Sequence, residues 1–293
     1  MRVFVPARTL PVPTTPPLPD LASPSSTAAR TTAVIDALGP LARDFAIDWV
    51  AECASTNTTL LDAPPHDENR LHVLVADRQT AGRGRRGRQW LSWDGASLTF
   101  SVLWHFPPGA AAPAGLSLVA GLALARALER LGVVGLQLKW PNDVLVHGDK
   151  LAGILIDLLS GRGRRPAAVI GIGLNLRLPE HAAIPAQTGV TDLAHALEAP
   201  QPAPALILAA ILAELHRLLD TFAVAGFPAL RGAWEQRNAF AELPVCISGE
   251  KETRHGLCAG VDDDGALLLR TANGIERILA GDVSLRPLAE GGR

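Results

Sequence analysis

The sequence predicts an α+β fold, in which a mixed β-sheet backed by helices is followed by a small β-barrel. Between residues 41 and 240, short apolar strands follow one another with hairpin-sized gaps and are interrupted by long apolar helical runs, which indicates a mixed or antiparallel sheet covered by helices. After Pro244 the chain changes to short β-type runs separated by turns, and Asn273-Gly274 is a strong hairpin signal. We therefore expect a flexible leader over residues 1–40, an α+β domain over 41–240 and a β-barrel over 241–293.

The individual elements follow from local patterns. Residues 1–24 hold seven of the 23 prolines and show little apolar periodicity, which is typical of a mobile leader. Alternation begins at Asp44, with Phe45, Ile47 and Trp49 on one face. Further strands are predicted at 71–76, 96–104, 136–140, 144–146, 151–158, 168–172, 245–248, 257–261, 266–269 and 275–279, and helices at 32–42, 115–131, 205–222 and 228–239.

The composition excludes several classes of protein. The formal net charge is -2, which argues against a nonspecific binder of polyanions such as nucleic acid. The three cysteines, Cys53, Cys246 and Cys258, form no CxxC pair, so neither a disulfide framework nor a zinc site is expected. No apolar run is long enough to cross a membrane, and the N-terminus lacks the apolar region of a signal peptide, so we expect a cytoplasmic protein.

An arginine-rich loop follows one of the predicted strands. Residues 82–90 read GRGRRGRQW, so four arginines and three glycines stand within nine positions. Glycine allows close backbone approach and arginine supplies a permanent positive charge, so such a loop can wrap around an anionic ligand and become ordered when the ligand arrives. An exposed loop or an RNA-contacting segment is the alternative, and this run alone leaves both open.

Lysine is rare in this chain, and its positions are informative. Only three of the 27 lysine and arginine residues are lysines, and Lys139 and Lys150 are two of them. Lys139 begins the segment KWPND (139–143), in which proline presents a polar corner at a strand end. Asn142 and Asp143 could hold Mg²⁺ through oxygen ligands, and Lys139 could meet a phosphate. An ordinary turn with a solvated lysine is the simpler interpretation of this segment by itself.

Two apolar strands contain glycines. Gly153 lies in the middle of KLAGILID (150–157), and GIGLN (171–175) carries two glycines before Asn175. A glycine within a strand often marks the close approach of a ligand or of another backbone, although a bulge is equally compatible. GIGLN lacks the third glycine and the following helix of a dinucleotide-binding fingerprint.

A polar triplet precedes a short helical pattern. Ser55, Thr56 and Asn57 stand directly before it and are suited to cap a helix. If they lie beside the arginine loop, their side chains and the amide of Gln79 could hydrogen-bond a compact polar ligand head. A cap alone is the simpler interpretation without further context.

Taken in this order, the motifs resemble the biotin-protein ligases, also called biotin-[acetyl-CoA-carboxylase] ligases, of the monofunctional type without a helix-turn-helix domain. The resemblance rests on Ser55-Thr56-Asn57, Gln79 with GRGRRGRQW, KWPND, KLAGILID and GIGLN, and the tail segments GALLLR (265–270) and GDVSLR (281–286) extend it. It implies a class II synthetase-like, biotin/lipoate ligase-like catalytic domain that binds biotin and ATP, followed by an SH3-like barrel.

The resemblance also implies an activity that needs ATP, biotin and Mg²⁺. Biotin and ATP give biotinyl-5'-adenylate and pyrophosphate, and a lysine of a biotin carboxyl carrier protein of a carboxylase then takes the biotinyl group with release of AMP. The arginines and lysines of the motifs, Arg83 and Arg85 with Lys139 and Lys150, would offset the repulsion between the biotin carboxylate and the α-phosphate. The arginine loop would fold over the adenylate and protect it.

Roles for individual residues are implied in the same way. Lys150 and Arg85 would be catalytic. The residues that would contact biotin are Ser55, Thr56, Asn57, Gln79, Arg83, Gly84, Arg85, Lys150 and Gly153. The nucleotide would be contacted by Arg85, Lys139, Asn142 and Asn175, and Mg²⁺ would be bound by Asp143.

Two features depart from other members of the family. The Pro-rich leader stands where repressor members carry a helix-turn-helix, so we expect no operator binding and neither nucleic acid nor a membrane as a partner. Residues 176–190 contain no aromatic side chain that could stack on adenine. A lipoate-type ligase of the same superfamily, a non-catalytic nucleic-acid-binding protein and a biotin-binding regulator without catalysis stay open as alternatives, and both a monomer and a homodimer are compatible with the sequence.

Overall fold

A computed structural model describes residues 26–106, 114–159, 165–179, 189–249, 252–280 and 284–287. Its larger part is a seven-stranded mixed sheet with the strand order β1-β2-β3-β7-β6-β5-β4. The strands are β1 Phe45–Cys53, β2 Leu71–Gln79, β3 Ser97–His105, β4 Leu136–Lys139, β5 Asp143–Val146, β6 Asp149–Leu159 and β7 Ala167–Asn175. β1 and β2 run parallel, and all other neighbours in this sheet are antiparallel.

Helices cover both faces of this sheet. They are α1 Thr27–Leu38, α2 Thr56–Asp62, α3 Leu116–Arg130, α4 Leu193–Ala196, α5 Pro204–Ala225 and α6 Pro228–Glu235. The main core lies between the sheet and the helices α1, α3, α5 and α6, and it contains the fully buried Phe100, Trp140 and Trp234. A smaller core, which includes Leu60, Leu103 and Val169, lies beneath α2 on the opposite face. Because side chains alternate along a strand, β3 and β7 send every second residue towards α2.

The C-terminal part is a separate five-stranded antiparallel sheet. Its strands are β8 Pro244–Ser248, β9 Thr253–Val261, β10 Leu267–Thr271, β11 Gly274–Ile278 and β12 Ser284–Pro287, in the order β11-β10-β9-β8-β12. The indole N–H of Trp140 donates to the Gly265 carbonyl at 3.0 Å, and Arg231 pairs with Asp263 at 2.6 Å. These contacts fix the smaller sheet against the larger domain, so its last strand can contribute to a shared site.

The predicted fold class is confirmed, with differences at the ends of the chain. The helix predicted at 32–42 instead begins at Thr27, capped by Ser26, whose side chain accepts a hydrogen bond from the Ala29 N–H at 3.2 Å. Its residues Val34 and Leu38 are buried in the main core, so the prediction that the leader stays flexible up to residue 40 is wrong for this stretch. The short elements α4 and β12 are absent from the prediction. Residues 1–25 lie outside the described residues.

No helix in the described ranges is long and apolar enough to cross a membrane.

Candidate functional site

A cavity of about 420 Å³ lies beside the N-terminus of α2 and the arginine loop. Every residue to which the sequence assigned a binding or catalytic role lines it: Ser55, Thr56, Asn57, Gln79, Arg83, Gly84, Arg85, Lys139, Asn142, Asp143, Lys150, Gly153 and Asn175. The fold therefore gathers into one place motifs that are more than a hundred residues apart in the sequence.

The floor of the cavity includes three glycines of two neighbouring strands, Gly153 of β6 and Gly171 and Gly173 of β7. Gly171 and Gly173 of β7 pair with Ser101 and Thr99 of β3 on one side, and Gly173 pairs with Gly153 of β6 on the other. Two glycines directly opposite each other leave a depression in the sheet, because neither carries a side chain. Gly153 and Gly173 mark close approach, since both are regularly paired. The register shift between β5 and β6 lies at Leu151 and not at Gly153.

The indole ring of Trp90 lies over this depression. A Cβ atom added to Gly173 would lie 2.2 Å from Cε2 of Trp90, and one added to Gly153 would lie 3.2 Å from Cζ3 of the same ring. The Lys150 ammonium is 5.8 Å from the ring centroid, which is within the range of a cation–π interaction. Sequence reasoning gave Trp90 no role, although paired strand glycines could have indicated space for an aromatic ring.

The polar triplet caps α2 and also lines the cavity. Ser55 is the N-cap of α2, and its hydroxyl accepts a hydrogen bond from the Thr58 N–H at 3.4 Å. The side-chain oxygen of Gln79 accepts hydrogen bonds from the backbone N–H and the hydroxyl of Thr56, at 2.8 and 3.2 Å. Because Thr56 occupies this oxygen, the group that Gln79 can offer a ligand is its amide N–H.

Asn57 is held in one orientation by neighbours on three sides. Its Oδ1 lies 2.5 Å from the hydroxyl of the fully buried Ser101, and its Nδ2 donates to Asp157 at 2.9 Å. A Cβ atom on Gly171 would lie 2.1 Å from Asn57 Oδ1, so glycine is required there for Asn57 to keep its place. Ser101 was missed from the sequence, but the polar residues that alternate with the apolar ones along β3 were a usable signal.

The arginine loop is folded as a short hairpin. Gly84 N–H donates to the Arg88 carbonyl at 2.7 Å, and Trp90 N–H donates to the Gly82 carbonyl at 3.0 Å. Arg85 extends from it towards the neighbouring segments, where its guanidinium donates to Asn142 Oδ1 at 3.1 Å and to the Ala280 carbonyl at 2.8 Å. Arg85 thus connects the loop, the KWPND turn and the C-terminal sheet.

Arg83 does not supply free charge to the cavity. Its two terminal nitrogens donate to the two carboxylate oxygens of Asp157, at 3.1 and 3.3 Å. The positive charge of Arg83 is therefore compensated within the protein, contrary to the expectation that it offsets the charge of an anionic ligand. The charge available to such a ligand must come from other groups.

Two lysines share one carboxylate at the cavity wall. Lys150 Nζ lies 2.6 Å from Asp143 Oδ1, and Lys139 Nζ lies 3.9 Å from Asp143 Oδ2. Burial lowers the pKa of Lys139 from its ordinary value, and the nearby Asp143 carboxylate opposes this effect. Two ammonium groups against one carboxylate leave the local charge positive, which favours an anionic ligand.

The carboxylate that lines this site suits a metal ion that arrives with a nucleotide. In the described part of the chain no three or more His, Cys, Asp or Glu residues are grouped so that they could hold a metal ion. Asp143 lines the cavity as a single carboxylate, next to the amide of Asn142. Mg²⁺ is commonly bound by one or two carboxylates together with substrate phosphates, so this donor set fits Mg²⁺ brought by a nucleotide and not a resident ion.

The far end of the cavity is closed by the segment after β7. Asn175 is buried, and its amide donates to the Thr191 carbonyl at 3.0 Å. Asp192 accepts hydrogen bonds from the Leu178 and His195 backbones, at 2.8 and 2.9 Å. Burial raises the pKa of the Asp192 carboxyl, but these hydrogen bonds outweigh it and hold the pKa below its ordinary value. Residues 176–190 contain no aromatic side chain that could stack on adenine. Part of this stretch, residues 180–188, lies outside the described residues.

The C-terminal sheet contributes residues that sequence reasoning missed. Leu285 and Arg286 of β12 line the cavity together with the motifs of the larger domain. The sequence of the segment GDVSLR (281–286) indicates the barrel but no part in the site. A basic residue in the last strand of a small appended sheet has no local signal, because only the docking of the two parts brings it to the cavity.

Two family models match this chain. Residues 50–175 match the model described as the biotin/lipoate A/B protein ligase family, and residues 245–286 match the biotin protein ligase C terminal domain. The first match ends with β7 of the mixed sheet, and the second extends from β8 to β12 of the five-stranded sheet.

Named relatives resemble the chain over most of its length. The bifunctional ligase/repressor BirA of Escherichia coli is 38% identical over 234 residues, which are 79% of this chain and 71% of that protein. A biotin--[acetyl-CoA-carboxylase] ligase of Paracoccus denitrificans is 37% identical over 246 residues, which are 80% of this chain and 98% of that protein. Among solved structures, the biotin protein ligase from Aquifex aeolicus in complex with biotin and ATP superposes with a TM-score of 0.71 at 32% identity, covering 83% of this chain and 99% of that one.

Proposed function

The chain belongs to the biotin protein ligase family, and from this premise we propose that its cavity is the place where biotin and ATP react. The chain is an ATP-dependent ligase that forms biotinyl-5'-adenylate and transfers the biotinyl group to a lysine of a carboxyl carrier protein. The observation that carries the assignment of the site is the convergence of all the family motifs on one cavity.

Biotin binds with its polar ring system at the N-terminus of α2. The ureido group of biotin has N–H donors and a carbonyl acceptor, and Ser55, Thr56, Asn57 and Gln79 offer both kinds of partner. The buried network behind them fixes their orientation before biotin arrives, which lowers the entropic cost of binding. Gly153 and Gly173 leave room above the sheet for the Trp90 ring, against which the ligand would lie, and the backbone of Arg83 and Gly84 closes over the ligand.

The first half-reaction takes place beside the two lysines. The biotin carboxylate attacks the α-phosphate of ATP, a new C–O–P linkage forms, and the bond to the β-phosphate oxygen breaks as pyrophosphate leaves. Lys150 lies between the glycine depression and Asp143, where its ammonium reduces the repulsion between the reacting anions. Arg85, Lys139, Asn142 and Asn175 hold the nucleotide.

Mg²⁺ enters this scheme as a companion of ATP. Asp143 would hold it, and when bound it supplies positive charge to the phosphates. Without the metal, the same carboxylate pairs with Lys150 and Lys139, so Mg²⁺ would have to displace ammonium groups from it.

In the second half-reaction the carrier supplies the nucleophile. The amine of the carrier lysine attacks the biotinyl carbonyl, the amide bond forms, the bond to the phosphate oxygen breaks, and AMP leaves with the loss of one proton from the amine. The mixed anhydride must be kept from water until then, and the arginine loop covers it. We take the carrier to be the biotin carboxyl carrier domain of a carboxylase, and the cytoplasm to be the compartment in which both meet.

Substrate choice separates this proposal from a lipoate ligase. Biotin-dependent exchange of labelled pyrophosphate into ATP, measured beside the same assay with lipoate, tests it. We expect exchange with biotin and only background with lipoate, because the polar cluster around Asn57 matches a ureido group and lipoate has none. Equal exchange with lipoate would contradict the proposal.

A further inference from the structure

A carboxylate that the family motifs leave without a role lies just behind the cavity wall. Asp157 stands near the end of β6, where it pairs with Val169 of β7, and its side chain is 21% exposed. A negative charge this close to a site for biotin and ATP disfavours both ligands unless the protein neutralises it. The groups that pair with the Asp157 carboxylate therefore indicate its role.

Asp157 connects three segments of the chain. Its Oδ2 accepts hydrogen bonds from Asn57 Nδ2 at 2.9 Å and from Arg83 Nη1 at 3.1 Å, and its Oδ1 accepts one from Arg83 Nη2 at 3.3 Å. The pair with Arg83 is bidentate, which restricts the direction of the guanidinium as well as its distance. The carboxylate thus ties the beginning of the arginine loop and the N-terminus of α2 to the sheet.

The arginine loop has a second attachment at the other end of the cavity. Arg85 donates to Asn142 and to Ala280 there, close to the proposed nucleotide contacts. Arg83 and Arg85 therefore anchor the same loop at two different places. Loss of the anchor at Arg83 frees the loop near biotin and leaves the attachment near ATP intact.

We propose that Asp157 is a positioning residue for biotin and its adenylate. It holds the arginine loop closed through Arg83, and it turns the amide of Asn57 so that Oδ1 meets Ser101 while Nδ2 meets the carboxylate. This inference rests on the proposed function of the cavity. It predicts an asymmetric effect, in which biotin and the bound adenylate depend on Asp157 and ATP does not.

The test uses the full chain with Asp157→Ala and Asp157→Glu. For Asp157→Ala we expect the KM for biotin to rise roughly tenfold and biotinyl-5'-adenylate to dissociate roughly tenfold faster. Changes of this size correspond to the loss of about one charge-assisted hydrogen bond. The KM for ATP should stay within about twofold of the wild type, because the nucleotide contacts do not involve Asp157. Asp157→Glu keeps the carboxylate and should recover a large part of the loss.

Asp67→Ala is the matched control, because it removes another aspartate paired with an arginine, 2.7 Å from Arg70, in a segment that does not line the cavity. It should leave both constants unchanged. A double variant with Arg83→Met should release the adenylate no faster than Asp157→Ala alone, because both changes open the same attachment. Additive effects on the release rate would overturn the proposal.

Two other results would also overturn it. Unchanged biotin KM and adenylate release in a folded Asp157→Ala variant would show that the loop does not depend on this residue. A parallel rise of both KM values with a lowered melting temperature would show a structural role only. If the proposed function itself were wrong, the wild type would form no adenylate from biotin and ATP in the same assay. This outcome is therefore distinct from a wrong role for Asp157.

Discussion

Replacement of Gly171 by alanine tests whether Asn57 must keep its present position for biotin to bind. The new Cβ atom would lie 2.1 Å from Asn57 Oδ1 and 2.8 Å from its Cγ. Both distances are far below an ordinary contact, and Gly171 is held in the middle of β7 by its pairing with Ser101 and Leu155. The strand cannot yield easily, so the Asn57 side chain must move.

The size of the expected loss of free energy follows from the hydrogen bonds that Asn57 loses. They join its Oδ1 to Ser101 at 2.5 Å and its Nδ2 to Asp157 at 2.9 Å. At about 1 to 1.5 kcal/mol for each buried hydrogen bond, the loss is about 2 to 3 kcal/mol. If this loss appears in biotin binding, the KM for biotin rises by roughly 30- to 150-fold. The KM for ATP should change by less than about threefold, because Asn57 makes no proposed contact to the nucleotide.

The assay is steady-state pyrophosphate release with biotin and ATP varied in turn, together with thermal unfolding of each variant. Gly232→Ala is the matched control, because a Cβ atom there meets nothing within 4 Å, and it should leave both KM values unchanged and stabilise α6 slightly. The double variant Asn57→Ala/Gly171→Ala should bind biotin no worse than Asn57→Ala, because the clash has been removed. A folded Gly171→Ala variant with a biotin KM within about threefold of the wild type would show that biotin binding does not depend on the present position of Asn57.

Three further predictions concern catalysis, the loop and stability. Lys150→Ala should unfold at nearly the wild-type temperature yet lose roughly 100-fold or more of its rate of adenylate formation, because the reacting anions lose a nearby ammonium; wild-type turnover would contradict its role. Saturating biotin, or its adenylate, should slow limited proteolysis within residues 82–90 about tenfold, and unchanged cleavage there would count against closure of the loop. Burial alone would raise the pKa of the Glu214 carboxyl, but its pairs with Arg217 and neighbouring arginines lower it below the ordinary value of 4.5. The stabilisation is therefore present above about pH 4.5 and is lost as the pH falls through the lowered pKa. In urea titrations Glu214→Gln should cost about 2 kcal/mol at pH 7 and clearly less at pH 3, whereas a pH-independent difference would contradict this origin.

The strands and helices of the larger domain could be predicted because their periodicity is strong. β3 places Leu98, Phe100, Val102 and Trp104 at every second position, and α3 is a long apolar run that ends before Gly132. The start of α1 was missed because its first buried residue is Val34, so the apolar pattern begins well after the helix does. The N-cap Ser26 was the local signal that marks this boundary.

The members of the site could be predicted from the motifs, but their partners could not. Lys150 and Gly153 stand in a recognisable segment, whereas the pairing of Arg83 with Asp157 depends on how a loop folds back over β6. The same holds for Arg286, which reaches the cavity only because the C-terminal sheet docks against the larger domain. Contacts between distant segments leave no periodic or local signal in one sequence.

Transfer of labelled biotin to an apo carrier domain, followed for the wild type and for Lys150→Ala side by side, tests the central claim most directly. We expect the wild type to label one lysine of the carrier only when ATP is present, and the folded variant to label almost none. The absence of ATP-dependent labelling by the wild type, or equal labelling by Lys150→Ala, would contradict the claim that this cavity joins biotin to ATP for transfer.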